Sequence, residues 1–145
     1  MRRFAIRSTI LPAALLALLP LAANAASPVG RYKTFDEDTG KPRLVVDVYE
    51  AKDGSYAARV VETLFAPNAQ CTACKGQNKD QPIAGMVILW GLKPDGDNAF
   101  DSGTVLKLDN GKTYKSKAEL TDGGRTLQVS GCVGFICKHQ NWTRE

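Results

Sequence analysis

The stretch Val105-Leu106-Lys107-Leu108-Asp109-Asn110-Gly111-Lys112-Thr113-Tyr114-Lys115-Ser116-Lys117-Ala118-Glu119-Leu120 decides the fold of this chain. Two runs of strand-forming residues flank Asn110-Gly111. A two-residue turn of type I′ needs positive φ at both central positions, which Asn and Gly tolerate. Beyond the turn, Tyr114, Ser116, Ala118 and Leu120 alternate with Lys115, Lys117 and Glu119. A period of two gives a strand with one face toward a core and the other toward water. The quoted residues therefore read as an antiparallel hairpin.

The same pattern extends in both directions. Asp38-Thr39-Gly40, Lys52-Asp53-Gly54, Pro94-Asp95-Gly96 and Asp122-Gly123-Gly124 supply turn residues between short apolar runs. No convincing helical period intervenes, so the class is all-β. Strands are expected at 30–35, 43–50, 55–64, 83–91, 100–108, 113–120, 126–132 and 138–144. Short connections make sequence neighbours antiparallel partners, and eight such strands remove their edges most simply by closing into an up-and-down barrel. A barrel of that size is either filled by its own side chains or holds one small ligand.

In the second strand Leu44, Val46 and Val48 share a face while Asp47 points the other way. The fourth is apolar on both faces, with Ile83, Gly85, Val87 and Leu89 on one and Ala84, Met86, Ile88 and Trp90 on the other. Its outer face needs a cover, for which the loop 65–82 is the first choice ahead of a terminus, a partner protein or a second copy in a homodimer. The residues expected to face the interior, and any ligand there, are Val46, Val48, Val87, Leu89, Leu106, Tyr114 and Leu127.

The first 25 residues read as a cleavable secretory leader. Arg2, Arg3 and Arg7 precede an apolar run from Ile10 to Ala23, and Ala23-Asn24-Ala25 is the small-x-small pattern that places cleavage after Ala25. Fourteen residues interrupted by Pro12 and Pro20 are short for a membrane span, which needs about 20. The remaining 120 residues, 26–145, suit a single β-barrel domain in the periplasm or outside the cell. The chain has 19 Lys and Arg against 15 Asp and Glu, and three of the arginines lie in the leader, so the domain itself carries an excess of one positive charge. That balance gives no support for a nucleic-acid partner, and cleavage leaves no stable membrane insertion.

Four cysteines lie in two close pairs, Cys71 with Cys74 and Cys132 with Cys137, and allow three connectivities. An oxidising compartment favours disulfides, and proximity favours the local pairing. Cys132 and Cys137 are about 16 Å apart in extended chain, whereas a bridge needs Cα atoms about 5.5 Å apart. Val133-Gly134-Phe135-Ile136 must then reverse the chain. Cys71-Thr72-Ala73-Cys74 also has the spacing of a thiol redox motif, with Lys75 and Lys79 near enough to lower a thiol pKa, and all four cysteines could hold zinc. The polar loop around it lacks the helix start that redox motifs use, so structural disulfides are preferred.

Other chemistry is sparse. His139 is the single histidine and has no visible catalytic partner, so it reads as an exposed strand residue. Asp36, Asp38 and Gly40 match part of a calcium loop without its closing ligands, and a turn is the better reading. Asn141-Trp142-Thr143 matches a glycosylation sequon but lies inside an expected strand and is set aside. No catalytic constellation, metal site or cofactor is expected.

In this order, Pro28-Val29-Gly30-Arg31-Tyr32, Asp38-Thr39-Gly40-Lys41, Cys71-Thr72-Ala73-Cys74-Lys75-Gly76, Pro82-Ile83-Ala84-Gly85, Asn110-Gly111-Lys112-Thr113-Tyr114 and Gln140-Asn141-Trp142-Thr143-Arg144 make the chain similar to the bacterial domain-of-unknown-function family 2147. These are small exported proteins, and the resemblance implies a lipocalin-like, or calycin-like, barrel. It also implies a barrel-closing pair. Lipocalin relatives carry Gly-x-Trp near the first strand with an arginine from the last strand over the ring, and Gly30-Arg31-Tyr32 with Arg144 resembles that arrangement, tyrosine replacing tryptophan. The expected function is a non-enzymatic binder of a small amphipathic or apolar molecule, or of an envelope protein. The alternatives are a redox or metal protein using Cys71 and Cys74, and an interaction module using the outer face of the fourth strand.

Overall fold

A computed structural model describes residues 26–145; the leader expected from the sequence lies outside the described residues. Eight strands follow in chain order: β1 (Gly30–Phe35), β2 (Pro42–Glu50), β3 (Tyr56–Thr63), β4 (Val87–Pro94), β5 (Ala99–Lys107), β6 (Lys112–Thr121), β7 (Thr126–Val133) and β8 (Ile136–Arg144). Each pairs antiparallel with the next, and β8 returns to β1. The fold is a closed, eight-stranded up-and-down barrel, as the turn spacing predicted.

The alternation read in the quoted hairpin organises the packing. Ser116, Ala118 and Leu120 of β6 are buried while Lys115, Lys117 and Glu119 are exposed. The pairs Val46 with Val60 and Val48 with Ala58, from β2 and β3, bring four buried residues together. One end of the barrel is filled solidly by Tyr32, Leu89, Leu92, Phe100, Leu120 and Leu127, all at most 5% exposed. Burying each large side chain contributes about 1.5–3 kcal/mol relative to leaving it in water.

The fourth strand departs from expectation. It starts at Val87 rather than Ile83, because Gly85 takes a φ of +93° and Met86 N–H donates back to the Ile83 carbonyl, making 83–86 a turn. Val87 then sits opposite Arg59 and Leu89 opposite Ala58, so two steps along β4 match one along β3. This bulge breaks the simple alternation that grouped Val87 with Leu89. Gly91, at a φ of +73°, offsets the strand again before the buried Leu92.

The long connection between β3 and β4 packs on the barrel. Cys71, Cys74, Ile83 and Met86 are buried in the same core cluster as Ile88 and Leu106. Trp90 on the outer face of β4 stays 38% exposed. The loop therefore packs beside the β5–β6 turn, where Cys71 approaches the Leu108 carbonyl and Ala73 lies against Gly111, and leaves Trp90 part-open.

Candidate functional site

The two barrel ends differ in construction. At the filled end the Tyr32 ring is fully buried and its hydroxyl donates to the Pro28 carbonyl at 2.8 Å. The Arg144 guanidinium lies 4.8 Å from the centre of that ring and donates to the carbonyls of Gly124, Val29 and Ser27. Burial pushes the Tyr32 hydroxyl pKa up, opposed by the Arg144 charge, so the phenol stays a neutral donor. Gly30 is open to this arrangement because it has no side chain: a Cβ there would collide with the guanidinium.

The other end is hollow. A cavity of about 380 Å³ opens between the β1–β2, β5–β6 and β7–β8 turns. Leu44, Ile88, Val105, Val129 and Trp142 are among its apolar walls, and Gly131 widens it where any larger residue would fill the space beside Val105 and Tyr114. Polar groups interrupt the apolar wall, several of them tied to one another or to backbone. Trp142 Nε1 donates to Gln140 at 2.8 Å, Gln140 Nε2 donates to the Phe35 carbonyl at 2.7 Å, and the Tyr114 hydroxyl accepts from Asn110 at 2.9 Å. Cross-strand pairing between β1 and β8 is confined to Tyr32 with Arg144 and Lys33 with Thr143, so the Gln140 bond ties the two strands toward the mouth.

Charged groups ring the opening. Arg43 of β2 reaches Asp109 in the β5–β6 turn and Asp36 in the β1–β2 turn, and Lys107 lies 3.7 Å from Glu37. Both arms cross the mouth from one side of the barrel to the other. Lys138 also lines the cavity and has no ion-pair partner among the described residues. The site is an apolar pocket beneath a polar, partly cationic rim, the combination that small-ligand sites of about 300–1,000 Å³ use.

Of the interior candidates, Leu106 and Tyr114 line the cavity. Val46, Val48, Leu89 and Leu127 are buried in the packed interior without bordering it, and Val87 is half-buried beside the bulge. Leu44 borders the cavity from the face it shares with Val46 and Val48, while Gly131, Gln140 and Trp142 border it outside the interior set expected from sequence; the period of two that buries Trp142 in β8 is the available signal for it. His139 is exposed at the rim, and among the described residues its side chain has no hydrogen-bond or ion-pair partner.

Cys71 pairs with Cys74, their Cα atoms 5.3 Å apart, and Cys132 with Cys137 at 4.1 Å. The first bridge is 1–2% exposed and sits against the β5–β6 turn, where the Cys71 sulfur approaches the Leu108 carbonyl. The second closes the β7–β8 hairpin, with Cys132 buried and Cys137 exposed.

Residues 30–144 match the family described as "Uncharacterized protein conserved in bacteria (DUF2147)". The chain belongs to this family. A search of curated proteins finds no match. Among solved structures, the family member resembles protein HP1028 of Helicobacter pylori, described as belonging to the lipocalin family, with a TM-score of 0.72 and 19% identity over 82% of this chain and 83% of that one. At that identity the likeness shows the fold: a lipocalin-like barrel.

Proposed function

We propose that this DUF2147 protein is an exported, non-enzymatic carrier that holds a small amphipathic molecule, its apolar part in the cavity and a polar, preferably anionic, head at the rim near Arg43 and Lys138. The observation that carries this reading is the hollow end itself, an apolar-walled space of about 380 Å³ under charged groups, opposite an end packed solid. Likeness of fold alone would assign no ligand. Export is supported by the leader read in the sequence and by the two disulfides, which persist in oxidising compartments. Redox work by Cys71 and Cys74 has less support, since a bridge this buried is closed to an attacking thiolate.

The test is titration with a dansyl-labelled fatty acid, read as energy transfer from tryptophan. Trp142 borders the cavity, so saturable transfer is expected for the wild-type protein. Gly131→Leu places a branched side chain in the pocket from an ordinary strand conformation, its Cβ no closer than 3.4 Å to Val105. Affinity should fall by about tenfold or more, in line with losing the burial of a few methylene groups, while the circular dichroism spectrum is unchanged. Equal affinity of the two proteins, or no saturable uptake by the wild type, would refute the reading.

A further inference from the structure

The tight turns of this barrel are polar, with one exception. Asp38-Thr39-Gly40, Asp53-Gly54, Asp95-Gly96, Asn110-Gly111 and Asp122-Gly123-Gly124 reverse the chain with residues that water solvates well. The β7–β8 turn instead carries Val133-Gly134-Phe135-Ile136, with Val133 66%, Phe135 106% and Ile136 75% exposed. Other exposed large apolar side chains among the described residues reach at most 50%. Gly134, at a φ of +58°, meets the turn's backbone requirement, so the three apolar side chains are not needed to make the turn. The disulfide between Cys132 and Cys137 holds the tip in this shape, which lowers the ordering cost of docking.

The strands beside the tip carry lysines, while the acidic groups that border the mouth near it, Asp36, Glu37 and Asp109, are ion-paired with Arg43 and Lys107. Lys115 lies across the ladder from Cys132, Lys138 across from Gly131, and Lys112 three residues nearer the mouth on β6. All three are exposed, and none has an ion-pair partner among the described residues. No acidic residue lies within 131–138 or 112–118. An apolar tip collared by lysines matches a surface with anionic head groups above hydrocarbon.

We propose that the Cys132–Cys137 hairpin is a docking finger that inserts Phe135 and its neighbours into an anionic lipid bilayer. Because Val133, Ile136 and Lys138 also border the cavity, docking sets the mouth of the barrel against the lipid surface. A pocket loaded there can exchange an amphipathic molecule without exposing its apolar part to water.

Sedimentation with vesicles tests this directly, using the disulfide-intact protein and either phosphatidylglycerol or phosphatidylcholine vesicles. The wild-type protein should pellet with the first and much less with the second, and added salt should release it. Phe135→Ser, at a fully exposed position outside the cavity wall, should weaken pelleting by about tenfold or more. Lys115→Glu should weaken it as well. Phe135→Ser should still take up the dansyl-labelled fatty acid, whereas Gly131→Leu should lose uptake but still pellet, so that failure of docking and failure of ligand binding are separately visible. Absence of pelleting with phosphatidylglycerol, unchanged pelleting of Phe135→Ser, or a concentration-dependent dimer through the same tip in place of vesicle binding would overturn the proposal.

Discussion

At Gly111 two requirements fall on one residue. The turn holds it at a φ of +66°, where a Cβ is strained, and the loop carrying the Cys71–Cys74 bridge passes so close that a Cβ would overlap the Ala73 carbonyl. Gly54 has a similar φ of +82° but faces open space. Gly54→Ala should therefore cost about 1 kcal/mol from backbone strain alone, and Gly111→Ala about 2–3 kcal/mol because the loop must also move. Urea unfolding of the two variants checks the order, and equal losses would mean the loop yields freely. The hairpin at Asn110-Gly111 was legible because its geometry is local. The loop that rests on it was not, since nothing in Cys71-Thr72-Ala73-Cys74 names a partner nearly 40 residues away.

The turns and strands show where a period of two suffices and where it does not. Seven strands lie within two residues of their expected ends, because alternation and Gly-containing turns are local signals. The strand read at 83–91 moved, since the turn at 83–86 takes its first residues, and bulges at 87–89 and at Gly91 shift facing without changing composition. Turn chemistry also sets a pH dependence. The Asp36 carboxylate accepts from the Thr39 backbone N–H, the Thr39 hydroxyl and the Asp38 N–H, which hold its pKa below the ordinary 3.8. Asp53 is held down by the Ser55 hydroxyl and N–H, and Asp47 by a two-pronged bond from Arg31. Depressed folded-state values mean that these carboxylates add stability above pH 3.8, which is lost as pH falls below it through the folded-state values. The urea midpoint should be level from neutral pH down to that region and then decline, and Asp36→Asn should flatten part of the decline. A decline that begins near neutral pH would point to another group.

At the scale of the whole molecule, one barrel end is made for stability and the other for access, and the two should separate under mutation. The filled end depends on Arg144, which joins β8 to the chain before β1 through the Val29 and Ser27 carbonyls, to the β6–β7 connection through the Gly124 carbonyl, and to β1 through the Tyr32 ring. Sequence order placed Tyr32 and Arg144 together by resemblance, but the mouth was not readable that way, because Arg43, Lys107, Gly131 and Trp142 converge from β2, β5, β7 and β8 only once the barrel closes. Arg144→Ala should destabilise by about 2 kcal/mol through lost cation–π contact and charge-assisted bonds, leaving fatty-acid affinity intact. Arg144→Lys should recover little, since a single ammonium does not fork to several carbonyls while lying flat on a ring. At the mouth, Arg43→Ala removes a surface ion-pair arm worth about 0–1 kcal/mol in stability. Because that arm crosses the opening to Asp109, its loss should speed both uptake and release of the dansyl-labelled fatty acid in stopped-flow mixing. If Arg144→Ala changed the exchange rates and Arg43→Ala did not, the ligand would be passing through the end read here as closed.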